Sequence, residues 1–291
     1  SQGDGKQGRG RDRLLHGYPP ARLPPPPCSI MVGREVAIMG SSLKLGTVLG
    51  TVMIMLCGYG ADASDGDGLD AERRTMVREV EADVRRSPEV LGRTTLSEVV
   101  RTALLTVPRH EFVPHTFRNH AYENRALPIG LGQTISQPTI VAMMTDVLAL
   151  APTDTVLEIG TGSGYQAAVL SEVLTGGYVH TIEIVTELAR TARMRLQVLG
   201  YDNVTVHEGD GYAGLPATGP FDGILVTAAA EAIPPALIEQ LAPGGRLVMP
   251  LGAQDEVQWL TVLEKEADGA ISRRVALPVR FVPMTGEAQE R

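Results

Sequence analysis

Val156-Leu157-Glu158-Ile159-Gly160-Thr161-Gly162-Ser163-Gly164 is the stretch on which the fold of this chain turns. Its first half is a short apolar run of the kind a buried strand shows. Its second half is a glycine loop, which lets the backbone turn tightly and approach a ligand without Cβ clashes, and a helix is expected to follow. Toward the C-terminus the pattern repeats. Strands are predicted at 155–159, 178–183, 203–207, 222–227 and 245–250, with helices between most of them, which implies a mostly parallel sheet covered on both faces. After Gly252, runs at 257–264 and 271–281 flank Asp268-Gly269, a hairpin signal that makes this end antiparallel. Toward the N-terminus, residues 70–86 carry Met76, Val80 and Val84 at helical spacing, and 95–105 carry Leu96, Val99, Val100 and Ala103. Pro108 ends that second helix, 109–137 reads as loop-rich, and Pro138 opens a helix through Leu150. The prediction is a three-layer, Rossmann-like α/β domain with an antiparallel end and an N-terminal helical cap.

The glycine loop is joined by acids placed in register. Glu158 lies within the stretch itself. Glu183 closes the second strand, where a carboxylate can accept both hydroxyls of a ribose. Asp210, in Gly209-Asp210-Gly211, follows the third strand and is placed to reach an adenine amino group. Each acid alone reads as a solvated loop charge, and the loop alone as a turn; together at successive strand ends they read as a nucleoside site. The spacing is Gly-x-Gly-x-Gly, not the Gly-x-Gly-x-x-Gly of dinucleotide enzymes. It suits S-adenosylmethionine, which has no pyrophosphate to cradle on a helix N-terminus. The expected cofactor set is Glu158, Gly160, Gly162, Gly164, Glu183 and Asp210.

Composition narrows the classes. Of 291 residues, 43% are apolar and 21% charged, enough to build a core. A net charge of −8 argues against affinity won by neutralising phosphates, and 4% aromatic residues against base-stacking platforms, so no nucleic acid is expected as a partner. Cysteine occurs only at Cys28 and Cys57, which excludes a disulfide framework and a cysteine-rich zinc site; no metal is expected. The charge is uneven. Through Ala63 there are seven basic and four acidic residues, a net of +3 that leaves −11 for the rest. Residues 1–38 read as a disordered Gly/Arg/Pro-rich extension. Residues 39–63 read as a signal-like segment: Lys44, the apolar run Leu45 to Gly60, then Ala61-Asp62-Ala63. That run is short for a membrane span, and Leu56 disfavours a lipid anchor at Cys57. Residues 64–68 read as a linker, 69–286 as the globular domain and 287–291 as a tail.

A second motif lies upstream: Ala126-Leu127-Pro128-Ile129-Gly130-Leu131-Gly132-Gln133-Thr134-Ile135-Ser136-Gln137-Pro138. It delivers Ser136 to a helix start, where the plainest role is a helix cap. No Gly-x-Ser-x-Gly elbow supports a serine hydrolase. This block resembles the signature of the protein-L-isoaspartate (D-aspartate) O-methyltransferases. Also similar are Arg109-His110-Glu111-Phe112-Val113-Pro114, the Leu157-to-Tyr165 loop, Val226-Thr227-Ala228-Ala229, Gly244-Gly245-Arg246-Leu247-Val248 and Val279-Arg280-Phe281-Val282-Pro283. The resemblance runs over about residues 75–286, in the family's order. Ile184 departs from it, standing where bacterial members usually carry arginine, and residues 1–63 lie outside it.

The resemblance implies a methyltransferase that uses S-adenosylmethionine to methylate the free α-carboxylate of L-isoaspartyl, and D-aspartyl, residues in damaged proteins. It implies Ser136 as the active-site residue, with Thr134 and Ile135 beside it against the substrate carboxylate. The partners implied are damaged proteins and peptides carrying isoaspartyl residues, with membrane contact only if the 45–60 segment is retained. A carboxylate is already ionised at neutral pH and needs no base, so His110 reads as packing at a helix–loop junction. Carboxylate and sulfonium charges cancel as the bond forms, which a dry pocket holding the reactants in line favours. The methyl ester then collapses to a succinimide, restarting repair. The alternatives are a small-molecule methyltransferase, a nicotinamide-dependent oxidoreductase, disfavoured by the glycine spacing, and an exported non-enzymatic domain that keeps the fold. Cofactor supply favours a cytoplasmic working pool, against export through residues 39–63.

Overall fold

The computed structural model describes residues 63–289; the extension and signal-like segment expected over 1–63 lie, apart from Ala63, outside the described residues. In chain order the elements are α1 (Ala63–Arg86), α2 (Pro88–Leu91), α3 (Glu98–Thr106), β1 (Leu127–Gly130), β2 (Gln133–Ile135), α4 (Pro138–Val147), β3 (Thr155–Ile159), α5 (Tyr165–Val173) and β4 (Tyr178–Glu183). Then come α6 (Thr186–Val198), β5 (Val204–Glu208), β6 (Phe221–Val226), α7 (Pro235–Glu239), β7 (Leu241–Leu251), β8 (Gln258–Lys265) and β9 (Ile271–Val279). Seven strands form one sheet in the order β5-β4-β3-β6-β7-β8-β9, with β1 and β2 forming a separate hairpin. Pairing is parallel from β5 to β7 and antiparallel from β7 to β9. The chain leaves β3 to one side for β4 and β5 and returns on its other side as β6. That reversal opens a crevice at the carboxyl end of β3, where the glycine loop sits.

Side chains alternate between two cores, as the strand period requires. Val156 joins the larger core, built with α1, α3, α4 and α5, while Leu157 and Ile159 join the other with Ile182, Ile224 and Val226. Glu158, in phase with Val156, is turned toward the larger core.

The expected elements appear, with differences. Helix α1 buries Met76, Val80 and Val84, the stripe seen in the sequence, and Val77 beside them. It starts at Ala63, so Ser64–Gly68, expected as a linker, is helical. Once a buried stripe has nucleated a helix, each further residue adds a backbone bond, which here carries α1 through two glycines that themselves disfavour helix. The stretch 109–137, expected as loop, contains 3-10 turns at Arg109–Phe112 and His115–His120 and the β1–β2 hairpin. Strands this short carry too few alternations to register as a period. Nor is 287–291 simply a free tail: a 3-10 turn covers Gly286–Gln289, and the Glu287 amide donates to Asp210 Oδ2 at 2.8 Å. The helical cap is fastened by polar bonds. Thr139 Oγ1 donates to Asp83 Oδ2 at 2.6 Å, and Asn124 Nδ2 donates to the same oxygen at 2.8 Å, tying α1 to the first turn of α4.

Candidate active site

One cleft takes in both sequence motifs. Its walls include Thr134, Ile135 and Ser136 from the end of the hairpin, Gly160 and Gly162 from the glycine loop, and Glu183 from the end of β4. The loop needs glycine for two reasons. Gly160, Gly162 and Gly164 hold φ of 95°, 54° and 91°, the left-handed region. At Gly160, moreover, a Cβ would collide with Thr227 Oγ1, the hydroxyl that bonds back to the Gly160 carbonyl at 2.7 Å.

Glu183 is nearly buried, and its carboxylate is aimed by two backbone donors: Gly162 N–H to Oε2 at 2.8 Å and Val185 N–H to Oε1 at 2.9 Å. Each oxygen accepts one bond and keeps a further lone pair, and the residue lines the cleft, which supplies the acceptor pair that a ribose diol requires. The Gly162 amide, which a pyrophosphate would use, is instead taken by a carboxylate whose charge repels phosphate. The residues present therefore fit S-adenosylmethionine and not a dinucleotide.

Three expected cofactor residues are placed differently. Gly164 is absent from the cleft wall, and a Cβ on it would face Leu196 and Ala192 of α6. Glu158 is fully buried, is absent from the cleft wall, and neither carboxyl oxygen has a hydrogen-bond partner among the described residues. Its strand phase turns it under the loop. Burial, reinforced by the charge of Glu183, pushes its carboxyl up to about 8. Asp210 caps the 3-10 turn at Gly211–Ala213 by accepting from the Tyr212 amide at 2.9 Å, while its other oxygen takes the Glu287 amide. Both oxygens are thus engaged by backbone, and the neighbouring Gly211 reaches the cleft wall in place of Asp210.

Ser136 is not a helix cap. The N-cap of α4 is Gln137, which makes no side-chain cap bond. The Ser136 hydroxyl has no protein partner among the described residues, while its carbonyl accepts from Arg109 Nη2 at 2.9 Å. His110 lies off the cleft, with Nδ1 2.7 Å from the Tyr122 hydroxyl and Nε2 3.2 Å from Glu111. Burial lowers its pKa, as does Arg118 nearby. That is the packing role its position suggested.

The cleft also has walls not singled out in the sequence as site residues. Val282, Pro283, Met284 and Thr285 line it, because backbone bonds from Ala229 N–H to Val282 O (2.9 Å) and from Met284 N–H to Ala229 O (2.7 Å) lay the C-terminal segment beside the end of β6. Tyr165, the first residue of α5, lines it as well. The late Val-Arg-Phe-Val-Pro motif was the available signal for the first wall.

A mostly parallel sheet with an antiparallel end, a switch-point Gly-x-Gly-x-Gly loop and a ribose-type acid that takes the loop's own amide fits the class of S-adenosylmethionine-dependent methyltransferases. The comparisons agree and go further. Residues 90–289 match the family described as protein-L-isoaspartate(D-aspartate) O-methyltransferase (PCMT). A protein-L-isoaspartate O-methyltransferase 2 of Syntrophobacter fumaroxidans is 52% identical over 246 residues, covering 84% of this chain and 99% of its own length. A protein-L-isoaspartate O-methyltransferase 1 of Cupriavidus necator is 53% identical over 221 residues, 76% of this chain and 85% of the relative. Among solved structures, a protein-L-isoaspartate O-methyltransferase aligns with a TM-score of 0.65 and 29% identity over 73% of this chain and 67% of that one. The chain belongs to the protein-L-isoaspartate O-methyltransferase family. It is a carboxyl methyltransferase that uses S-adenosylmethionine to methylate isoaspartyl residues in protein repair.

Proposed function

We propose that Ser136 orients the isoaspartyl α-carboxylate, with Thr134 and Ile135 forming the wall beside it. The observation that carries this reading is a hydroxyl left without a protein partner in a cleft it shares with Glu183 and the glycine loop. Glu183 holds the ribose, Gly160 and Gly162 give the close approach, Gly164 lets the start of α5 pack against α6, and Glu158 and Asp210 act one layer back, beneath the loop and behind Gly211. The bound cofactor supplies an electrophilic methyl on a sulfonium. The residues do the rest. Ile135, Val141, Ile159 and Ile182 keep the cleft apolar, so a carboxylate held there sheds water. Ser136 donates to one carboxylate oxygen and leaves the other free to attack in line. No general base is required.

Ser136→Ala tests the assignment. Turnover of an isoaspartyl peptide should fall by about tenfold to a hundredfold, as loss of one charge-assisted hydrogen bond implies, with S-adenosylhomocysteine affinity unchanged. Wild-type turnover would remove Ser136 from the mechanism. An equal response to the normal aspartyl peptide would favour a broader carboxyl substrate class.

Among the described residues no helix is long and apolar enough to cross a membrane. The working pool we propose is cytoplasmic, where the cofactor is made, with residues 69–286 as the catalytic domain. Fractionation of the host with sequencing of the mature N-terminus tests this; a protein found outside the inner membrane and beginning at Ser64 would overturn it.

A further inference from the structure

Arg109 is wholly buried and carries a charge that no carboxylate answers within ion-pair distance among the described residues. Its bonds go to main-chain carbonyls: Nε to Ala121 O at 2.8 Å, and Nη2 to Ser136 O at 2.9 Å and Arg125 O at 3.4 Å. Nη1 has no hydrogen-bond partner, and the guanidinium carbon lies 4.7 Å over the ring of Tyr165. A guanidinium out of water is expensive to keep, and the cap needs no cation to hold three carbonyls that ordered water could satisfy. What distinguishes this position is its neighbours. Ser136 and Tyr165 are both walls of the cleft, one from the substrate motif and the other from the helix that follows the glycine loop.

We propose that Arg109 is the positioning residue of the substrate-carboxylate subsite, fixing Ser136 through its carbonyl and lending the cleft an uncompensated positive charge that selects an anionic reactant. Three physical consequences follow. The fork of the guanidinium sets the backbone of Ser136 against the fold, so the hydroxyl is presented from a fixed main chain when substrate arrives. The charge sits in a low-dielectric layer, where its attraction for a carboxylate in the cleft is far less screened than in water. The substrate then provides the counter-charge that the protein withholds. Lysine cannot replace both functions, since it keeps the charge but lacks the planar fork and the stacking face.

The proposal rests on the Ser136 reading, and the test separates the two. Arg109→Met and Arg109→Lys are compared with Ser136→Ala in the full chain. Three quantities are measured: kcat and KM for an isoaspartyl peptide, S-adenosylhomocysteine affinity by calorimetry, and the affinity of the protein–S-adenosylhomocysteine complex for the isoaspartyl peptide against its α-carboxamide analogue. The acid-over-amide preference should fall by about tenfold in Arg109→Met and survive in Arg109→Lys. In Arg109→Lys kcat should still drop by about tenfold, because Ser136 is no longer fixed. S-adenosylhomocysteine affinity should stay within about twofold of wild type in both, the mark of a defect on the substrate side alone. A purely structural arginine would lower binding of acid and amide alike, and an unchanged preference in folded Arg109→Met overturns the charge role. If Arg109→Met does not fold, Arg109→Lys decides: wild-type kcat there overturns the proposal. An inert Ser136→Ala beside a lost acid preference would sink the serine assignment and leave the charge role standing.

Discussion

The two halves of the cleft are built in opposite ways. The cofactor half hangs on consecutive backbone: β3, its glycine loop and α5 follow one another, and the carboxylate of Glu183 is aimed by amides from its own strand end and the adjoining loop. The substrate half is held from a distance, with Ser136 fastened by an arginine 27 residues earlier and α4 fastened to α1 through Asp83, 56 residues before Thr139. Where geometry comes from local spacing it is rigid and written in the sequence. Where it comes from buried long-range polar contacts, it depends on the whole cap.

The sharpest way to break the contrast is at Gly160. Ala at this position would force a residue with a Cβ to hold φ near 95° and drive that Cβ into Thr227 Oγ1. Strain and overpacking add, so Gly160→Ala should cost about 3 kcal/mol or more of stability and abolish S-adenosylhomocysteine binding. Chemical denaturation and calorimetry give both numbers. A stable variant that still binds would show that the loop is softer than its spacing implies.

Beneath that loop, Glu158 should weaken the fold in a pH-dependent manner. Its carboxyl is raised from 4.5 to about 8 in the native state. Between those values the folded chain keeps a proton that the unfolded chain has lost, so native stability falls as pH rises, until both states are ionised above about 8. Glu158→Gln removes the titration. The variant without ligand should be more stable than wild type by a few kcal/mol, about 1.4 kcal/mol per pH unit between the two values, at pH 7 to 8, with the gap closing toward pH 4.5. Thermal melts across that range check the sign; a gap that does not change with pH rules the explanation out.

How much of this was legible divides along the same line. Strands 155–159 and 178–183 match the structure at both ends, because largely buried parallel strands bounded by turns leave little freedom. The glycine loop and Glu183 were legible for the same reason. Glu158 and Asp210 were found as acids, but their direction was not: strand phase turns one under the loop, and a turn-capping bond draws the other to the backbone. The hairpin was hidden because strands of four and three residues give no period. Arg109 stands within a family motif yet is not recognisable there as a site residue. Nothing in a sequence distinguishes a buried arginine from a solvated one until the fold brings Ser136 and Tyr165 against it.

Glu183→Ala has a smaller expected effect than the Gly160 change. The loop keeps its backbone, but a ribose loses its paired acceptor and the Gly162 amide loses its partner. S-adenosylhomocysteine affinity should weaken by about 1–3 kcal/mol, with peptide KM little altered. Calorimetry measures this; NAD binding more tightly than S-adenosylhomocysteine in wild type would overturn the choice of cofactor.

The smallest effect is expected at Leu131, which makes the comparison quantitative. Like Gly160 it has a positive φ, 53°, but it sits at the hairpin tip between Gly130 and Gly132 with its side chain 58% exposed. Leu131→Gly relieves backbone strain of order 1 kcal/mol, since only glycine holds this region freely. It also adds unfolded-chain entropy of about 0.5–1 kcal/mol, in the opposite direction. The two nearly cancel, so the melting midpoint should move by less than about 1 kcal/mol equivalent. At Gly160 strain and unfolded-chain entropy again oppose each other, but a clash is added to the strain, because a side chain there meets Thr227 where Leu131 meets solvent. A loss above about 2 kcal/mol in Leu131→Gly would mean that the tip packs as tightly as the glycine loop. The substrate half would then owe its geometry to local contacts, as the cofactor half does.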